Sequence, residues 1–379
     1  MSTRHYALPV EETRWQTPFG GEVVFNWDYD ETRDHLLRLY EKGKDRQWNA
    51  SERIDWSIEV DPTDEGARPS ETIAIYGSDI WNRMTEDERA RLRHHQQAWM
   101  TSQFLHGEQG ALICASKVVG TVPDIDAKFY AATQVMDEAR HVEVYSRYLR
   151  EKLELAYPIN PSLRELLNQV IADDRWDMTY LGMQVMIEGL ALAAFGMIRD
   201  MTTEPLAKAI NAYVMADEAR HVAFGNLALR DYYPHLSEAE RAEREEFVVE
   251  ASYLMRDRFN GNEVWEALGL PVDECVELVE RSPMMQTFRR LLFSRIVPTV
   301  KAIGLWGTTV QRAFADMGVI HFQDLDPEEL SAADERFARE LDGARPLTPE
   351  EAEHAAELGL DPNRVREVQQ TIEEGRRAE

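Results

Sequence analysis

One charged hexapeptide, Asp-Glu-Ala-Arg-His-Val, occurs at residues 137–142 and again 80 residues later, each time inside a stretch with the apolar periodicity of a long helix. Each copy puts a glutamate and a histidine three positions apart, as Glu138 with His141 and as Glu218 with His221. Residues with this spacing share one face of a helix. A single Glu-x-x-His pair is common on solvated helices, but two identical copies on apolar helices predict a shared buried site.

Two further glutamates stand at a fixed distance ahead of the repeats. Glu108 lies 30 residues before the glutamate of the first repeat, and Glu188 lies 30 residues before that of the second. In an antiparallel helix pair, two residues lie at one level when the turn is midway between them. The two midpoints are Pro123 and Thr203, both in predicted turns, which puts each glutamate about 22 Å from its turn. All four glutamates and both histidines are therefore expected at one level.

The chain around these turns carries four long amphipathic patterns. The first follows a Thr85 N-cap and runs to Gly120, and the later three end before Pro158, at Met201 and before Pro234. Consecutive patterns of this kind, separated by turn signals, predict a helical bundle. No strand pattern of useful length stands out, so we expect an all-α protein.

The predicted bundle occupies residues 84–235. Residues 1–83 are irregular and interrupted by proline, and we expect them to wrap the core through aromatic side chains. Residues 236–310 are expected to form additional helices packed on the bundle, and residues 311–379 are an acidic, polar segment. The tryptophans of the N-terminal extension are Trp15, Trp27, Trp48 and Trp56.

The predicted site combines four carboxylates with two imidazoles: Glu108, Glu138, His141, Glu188, Glu218 and His221. Carboxylates are hard ligands that can bridge two irons, and one imidazole per iron leaves positions open for dioxygen. Four glutamates balance the charge of two ferrous ions, whereas zinc more often takes a tetrahedral set of three or four ligands. Asp137 and Asp217 can accept the free N–H of a histidine, and Arg140 and Arg220 can pair with those acids.

A glutamate followed after about thirty residues by Glu-x-x-His, with the unit repeated, resembles the non-haem diiron carboxylate proteins of the ferritin-like superfamily. The "DEARH" form is most similar to hydroxylase subunits of bacterial multicomponent monooxygenases, and is also similar to acyl-carrier-protein desaturases and the ribonucleotide reductase small subunit. The resemblance covers residues 85–235. It implies a ferritin-like four-helix bundle in which Asp137 bonds His221, and Asp217 bonds His141, across the bundle.

The same resemblance implies how two irons would be shared. One would be held by Glu108 with Glu138 and His141, the other by Glu188 with Glu218 and His221, with one or two glutamates bridging. The implied reaction is oxidation of a small hydrophobic organic substrate with dioxygen as co-substrate. Electrons would come from a separate reductase, since no flavin or nucleotide fingerprint is visible. A manganese–iron pair remains open.

Two other functions remain open. Tyr145 lies four residues after His141, where the ribonucleotide reductase small subunit has its radical tyrosine, so a radical or ligand-binding oxidase is one alternative. A packed core tyrosine with a bonded hydroxyl is the simpler interpretation of that residue. A ferroxidase or iron-handling protein is the other alternative, although the chain is much longer than one bundle.

Three positions depart from the patterns of particular subfamilies. Monooxygenases typically place a threonine four residues after the third glutamate, where this chain has Leu192, and desaturases place one at the position of Ala191. Arylamine N-oxygenases add a third histidine four residues before the last ligand glutamate, where this chain has Val214. Apolar residues near the ligands are expected to line a substrate cavity or the bundle core: Leu112, Met183, Ile187, Leu192, Phe195 and Met215.

Composition limits the partners. With 69 acidic against 42 basic residues the net charge is −27, so nucleic acid is not expected to bind. No run of about eighteen apolar residues and no signal peptide stand out, so neither a membrane span nor secretion is expected. Two cysteines, Cys114 and Cys275, fit a reducing cytoplasm. A homodimer is expected by analogy with other bundles of this kind.

Overall fold

A computed structural model describes residues 5–10, 13–29, 33–66 and 68–344. Within these ranges the structure is helical, and its β structure is an isolated parallel bridge between Tyr6 and Ala156. The predicted all-α class is therefore confirmed. Of the predicted acidic segment 311–379, the part after residue 344 lies outside the described residues.

In chain order, the α-helices are α1 Asp34–Asp45, α2 Ala50–Arg53, α3 Asp79–Arg83, α4 Glu86–Thr121, α5 Ile125–Tyr148, α6 Pro161–Ala172, α7 Trp176–Tyr180, α8 Gly189–Met201, α9 Pro205–Tyr232, α10 Glu238–Asp257, α11 Asn262–Ala267, α12 Val272–Arg281, α13 Pro283–Leu292, α14 Ile296–Ala302, α15 Thr308–Asp316 and α16 Pro327–Ala344. Shorter 3₁₀ turns are Ser70–Thr72, Tyr233–His235, Arg258–Asn260 and Ile320–Asp324, and π-helical stretches are Leu149–Leu153 and Leu181–Glu188.

Four long helices form the bundle: α4, α5, the continuous helix that contains α7 and α8, and α9. The Thr85 hydroxyl accepts the backbone N–H of Glu88, and the Glu88 carboxylate accepts that of Thr85, which closes a capping box at the start of α4. The α4–α5 turn contains Pro123 and the α8–α9 turn contains Thr203. Both turns lie where the glutamate spacing predicted them, so each pair of helices is antiparallel with its glutamates at matching heights.

The third bundle helix runs from Trp176 to Met201 through the π-helical stretch Leu181–Glu188. By length and composition alone it could cross a membrane, although no such span was expected from the sequence. However, 72% of its most apolar 18-residue stretch is buried inside the protein, because α9, α10 and α14 pack against this helix. These features describe the central helix of a bundle, and they explain why its sequence is apolar on every face.

The N-terminal extension meets the bundle through part of its aromatic set. Trp48 and Trp56 pack against the core, and the Trp15 indole donates to Asn168 Oδ1 at 3.2 Å. Trp27 does not behave as expected, because 83% of its surface is exposed. Its segment is extended beside the end of α4, where the Val24 amide donates to the Gly120 carbonyl at 2.8 Å.

The C-terminal helices α10 and α14 pack on the third bundle helix. Arg244 on α10 forms a buried ion pair with Asp177, with Nε–Oδ2 at 3.0 Å. Both side chains are almost fully enclosed, so the pair fixes α10 against the bundle at a defined position. Ile296 at the start of α14 is fully buried, and α14 packs beside the π-helical stretch.

Lys117 on α4 fixes the height of α6. Its side chain is buried, and its ammonium donates to the carbonyls of Val170 at 3.3 Å, Ile171 at 2.9 Å and Asp173 at 2.5 Å. These carbonyls belong to the last turn of α6 and the residue after it, which lack partners within the helix. The ammonium therefore serves as a C-terminal cap supplied by a neighbouring helix.

Replacing Lys117 by methionine is expected to lower the free energy of unfolding by about 1–3 kcal/mol, because the carbonyls of Val170 and Asp173 lose their donor, whereas that of Ile171 keeps the Gly20 amide. Lys44→Met is the matched control, since Lys44 forms an exposed pair with Glu41, and this variant is expected to be destabilised much less than Lys117→Met. Urea titration followed by circular dichroism measures both values. Equal costs for the two variants would contradict the capping role.

Candidate metal centre

Six buried side chains from the four bundle helices meet at one level. The ligand-type atoms form two overlapping groups in which all atoms lie within 4.8 Å of one another. One group is Glu108, Glu138, His141 and Glu218, and the other is Glu138, Glu188, Glu218 and His221. These are the six residues that the repeat and its spacing predicted from the sequence.

The two groups share Glu138 and Glu218, which lie at the centre. His141 Nδ1 is 3.0 Å from Glu218 Oε1 and 3.3 Å from Glu138 Oε2. On the other side, His221 Nδ1 is 3.1 Å from Glu138 Oε1 and 3.3 Å from Glu218 Oε2. Each histidine thus points one nitrogen at both central carboxylates, and each of the two groups could hold one cation.

The carboxylates lack partners that a protein core normally provides. Oxygens of Glu138, Glu188 and Glu218 are buried without a hydrogen-bond donor. Burial, reinforced by the neighbouring Glu218 carboxylate, raises the pKa of Glu108 and of Glu188 well above the usual range. Four carboxylates, three of them with unpartnered oxygens, together with two imidazoles, are suitable ligands for two divalent cations. The cations would neutralise the four negative charges.

A ring of charged residues orients the two histidines from outside. Asp217 Oδ2 lies 3.2 Å from His141 Nε2, and Asp137 Oδ2 lies 3.2 Å from His221 Nε2. Because a carboxylate only accepts, Nε2 carries the proton in each ring and Nδ1 is left free to bind a metal. Both contacts run across the bundle between α5 and α9, with the pairing that the family resemblance implied.

Two arginines close this ring. Arg140 donates to Asp137 at 2.5 Å and to Asp217 at 2.8 Å. Arg220 donates to Asp217 and lies 3.6 Å from Asp137. The two aspartates and two arginines compensate one another's charge, so the ring holds the histidines without adding net charge to the core.

The N-terminal extension supplies an outer layer that was not predicted from the sequence. Gln47 Nε2 donates to Asp137 Oδ1 at 2.7 Å, and Gln47 Oε1 accepts from Arg140 at 2.8 Å. The Trp48 indole donates to Asp217 Oδ2 at 2.8 Å, and the Arg140 guanidinium lies 4.7 Å from the centre of its ring. No local motif marks Gln47 or Trp48, because their role depends on how α1 and α2 pack on α5 and α9.

A buried glutamine also contacts the central cluster directly. Gln134 Nε2 donates to Glu138 Oε1 at 3.0 Å and to Glu188 Oε1 at 3.1 Å. Gln134 stands four residues before Glu138, the same offset that separates Val214 from Glu218 in the second repeat. The two sides of the cluster therefore differ, because an amide lies on the Glu188 side at the position where the second repeat has an isopropyl group.

Tyr145 lies against the other side of the cluster. Its hydroxyl donates to Asn211 Oδ1 at 3.1 Å, and its ring contacts Phe104 and Phe195. Burial, together with the Glu108 and Glu218 carboxylates, raises its pKa well above the usual value, so the phenol stays protonated. The structure thus has the packed tyrosine with a bonded hydroxyl that the simpler interpretation described.

The residues expected to line a cavity are mostly packed core. Met183, Ile187, Leu192, Phe195 and Met215 are buried, whereas Leu112 is only half-buried. A small chamber of about 50 Å³ beside Tyr145 is lined by other residues, among them Phe104 and Asn211. Its lining could not be read from spacing, because it depends on where α4, α5 and α9 separate.

A four-helix bundle with six buried glutamate and histidine side chains at one level defines a ferritin-like protein of the non-haem diiron class. Within that class, the chain belongs to the family of the p-aminobenzoate N-oxygenase AurF, which matches residues 29–304. It is therefore a diiron oxidoreductase, as the resemblance in the repeat predicted. The third histidine of arylamine N-oxygenases is absent, and the buried Val214 occupies its position.

Other comparisons give more distant likenesses. The chain is similar to an R2-like ligand-binding oxidase with an aerobically reconstituted metal cofactor after photoconversion, with a TM-score of 0.44 and 17% identity. That comparison covers 74% of this chain and 96% of the other. Among curated proteins, none matches this chain.

The overlap of the two groups predicts unequal effects of removing single glutamates. Wild-type protein is expected to bind two irons per chain, and Glu108→Ala or Glu188→Ala about one, because each of these residues belongs to one group. Glu138→Ala or Glu218→Ala is expected to lower the occupancy of both iron positions, because each of these residues belongs to both groups. Elemental analysis after anaerobic loading with Fe(II) measures the content, with the exposed Glu143→Ala on α5 as control. Equal losses in all four variants would contradict the shared central pair.

The contact between Asp217 and His141 predicts a second effect on iron binding. Asp217→Ala is expected to weaken Fe(II) binding by about 10–100-fold, because His141 loses the acceptor that fixes its orientation. Competition with a coloured chelator measures the affinity. Asp231→Ala, at an exposed site on the same helix, is the control and should leave the affinity unchanged. An unaltered affinity in Asp217→Ala would show that His141 is oriented by other contacts.

Proposed function

We propose that this protein is a dioxygen-dependent oxygenase that oxidises a small, largely apolar organic substrate at a diiron centre held by Glu108, Glu138, His141, Glu188, Glu218 and His221. The observation that carries the proposal is the cluster itself, in which buried carboxylate oxygens lack donors and both imidazoles present Nδ1. Membership of the AurF family supports the same chemistry.

A bound diiron pair would supply reducing electrons to dioxygen and a position for it to react. The protein's own residues prepare that chemistry. His141 and His221 are held by the two aspartates, and Gln134 donates to Glu138 and Glu188, which restrains the carboxylates on that side. The opposite side is enclosed by Phe104, Tyr145 and Phe195, which keeps bulk water away from the reacting centre.

A separate reductase is part of the proposal. Insertion of one oxygen atom from O₂ into a substrate, with the other released as water, consumes two electrons and two protons besides those of the substrate. The chain carries no nucleotide or flavin fingerprint that would provide them. The family description makes 4-aminobenzoate one substrate to examine, whereas Val214 in place of the third histidine argues against carrying that activity over unchanged.

The radical alternative involving Tyr145 can be separated from the oxygenase by one substitution. We expect the diferrous protein to react with O₂ in stopped-flow absorption, and to transfer ¹⁸O from ¹⁸O₂ to a product when 4-aminobenzoate or other small aromatic and alkyl compounds are supplied with a chemical reductant. Tyr145→Phe keeps the ring and should retain product formation within about tenfold, because the phenol is protonated and bonded to Asn211.

Two results would count against the oxygenase. A diferrous protein that is not oxidised by air would remove the basis of the proposal. A tyrosyl radical signal that vanishes in Tyr145→Phe, with no ¹⁸O in any product, would favour the radical oxidase. Phe129→Leu, at a half-exposed aromatic of α5 on the bundle surface, is the control for nonspecific effects of substitution.

A further inference from the structure

A nine-residue pattern occurs once on each of two bundle helices, and the metal ligands account for only its last position. The pattern Tyr-x-x-x-Gln-Val-Met-x-Glu occupies residues 130–138 on α5 and residues 180–188 on the third bundle helix. It ends in Glu138 in the first copy and in Glu188 in the second. Because the tyrosine and the glutamine recur at the same distances before a candidate ligand, they are expected to share a role beside the metal centre.

The two copies lie side by side in the core. Gln184 Nε2 donates to Gln134 Oε1 at 3.5 Å, and Gln134 in turn donates to the glutamates of both copies. The rings of Tyr130 and Tyr180 both contact Phe224, with ring centres at 4.2 and 5.1 Å from that of the phenylalanine. Each tyrosine stands about two helical turns before its glutamate, a rise of about 12 Å on α5. Tyr130, Gln134, Tyr180 and Gln184 thus form one polar column.

A glycine on α9 allows the polar column to pack this closely. A Cβ atom at Gly225 would lie only 2.6 Å from the Cβ atom of Gln184, which is too short for two carbons that are not bonded to each other. Gly225 stands four residues after His221, where the first repeat has Tyr145. The difference between the two repeats at this position therefore has a structural reason. The four side chains of the column are at most 1% exposed.

Three polar atoms of the column have no hydrogen-bond partner among the described residues: the hydroxyls of Tyr130 and Tyr180, and Oε1 of Gln184. Buried polar groups of this kind are satisfied by internal water molecules, each of which makes about three hydrogen bonds. Burial raises the pKa of both tyrosines, so both hydroxyls stay protonated. Each hydroxyl can therefore donate one hydrogen bond and accept another.

The column connects a solvent-facing ion pair with the cluster. Besides burial, which raises the pKa of Tyr180, the Asp124 carboxylate raises it further and the Arg33 guanidinium lowers it, so both charges lie near this tyrosine. Arg33 Nη1 and Asp124 Oδ2 are 2.7 Å apart, and 20% and 25% of their side chains are exposed. At the other end, Gln134 contacts the candidate ligands directly. The column therefore spans the core between solvent and the metal centre.

Tyr233 has the other buried tyrosine hydroxyl without a hydrogen-bond partner among the described residues, and it lies outside the column. It stands at the end of α9, beyond His221, and neither copy of the nine-residue pattern contains it. Burial raises its pKa, as does Asp177, whose ion-pair partner is Arg244. Tyr130 and Tyr180 are distinguished from it by the repeat and by the glutamines that join them to the cluster.

We propose that the polar column binds a file of water molecules that carries protons from solvent at the Arg33–Asp124 pair to the side of the metal centre where Glu138 and Glu188 lie. Each tyrosine hydroxyl accepts a proton from the water on its outer side and releases its own proton to the next acceptor, so the core gains no net charge. The two glutamines bind and orient the waters without changing their own protonation. The proposal rests on the proposed function in one respect, because reduction of O₂ is what consumes the protons.

High-resolution X-ray diffraction from crystals of the Fe(II)-loaded protein under argon tests the water file without turnover. An ordered water molecule is expected within about 3 Å of each of the two tyrosine hydroxyls and of Gln184 Oε1. Density that shows no water at either hydroxyl would overturn the proposal, whatever the kinetic results. The wild-type protein decides this test, so the outcome does not depend on whether any variant folds.

Proton uptake tests the transfer itself. Two-electron reduction of O₂ takes up two protons, whether the product is hydrogen peroxide or, with a substrate, water and an oxygenated compound. When the diferrous protein is mixed with O₂ and a pH-indicator dye, Tyr130→Phe and Tyr180→Phe are each expected to slow proton uptake at least about tenfold. Both variants keep the ring against Phe224, and their iron content should equal that of wild type. Tyr233→Phe, which loses a buried hydroxyl outside the column, is the matched control and should leave the rate unchanged.

Unaltered proton uptake in both column variants would overturn the route, and so would an equal slowing in Tyr233→Phe. The route and the oxygenase fail in different ways. If waters fill the column and the column variants slow proton uptake, but no ¹⁸O reaches any product, the proton route stands and the oxygenase fails. If both column variants transfer ¹⁸O to product at the wild-type rate, the oxygenase stands and the proton route fails.

Discussion

The burial of four carboxylates at one level of a helical bundle is the constraint on which the rest of this structure depends. Each carboxylate would be stable in water, and in the core it requires a compensating charge. Burial beside other carboxylates accordingly raises the pKa of Glu108 and of Glu188. Two divalent cations would balance the negative charge of the four glutamates. The site is therefore built to be completed by metal.

Other parts of the fold serve to hold this cluster. The aspartate and arginine ring fixes the two histidines, and Gln47 and Trp48 fix the ring from outside. The extension that carries them contains the short helices α1 to α3, and it adds further donors to the two aspartates of the ring. On the remaining sides, α10 and α14 cover the apolar third helix. The helices that follow the bundle thus help to enclose the centre.

Sequence predicted the parts of this site that obey helical spacing. The repeat identified Glu138, His141, Glu218 and His221, and the equal spacings of 30 residues located Glu108 and Glu188, because helical rise converts sequence distance into height. The cross-bundle pairing of the aspartates followed from family resemblance. Spacing could not find Gln47 or Trp48, whose positions depend on how the segment between α1 and α2 packs on the bundle. The expectation that Trp27 packs on the core was wrong for the same reason.

Whether these six side chains hold two metal ions is tested most directly by X-ray diffraction. Crystals of the Fe(II)-loaded protein would be measured on both sides of the iron absorption edge. Two anomalous peaks are expected about 3.5–4 Å apart, one beside His141 and Glu108, the other beside His221 and Glu188, with Glu138 and Glu218 between them. A single peak, or peaks outside the six side chains, would contradict a shared diiron centre.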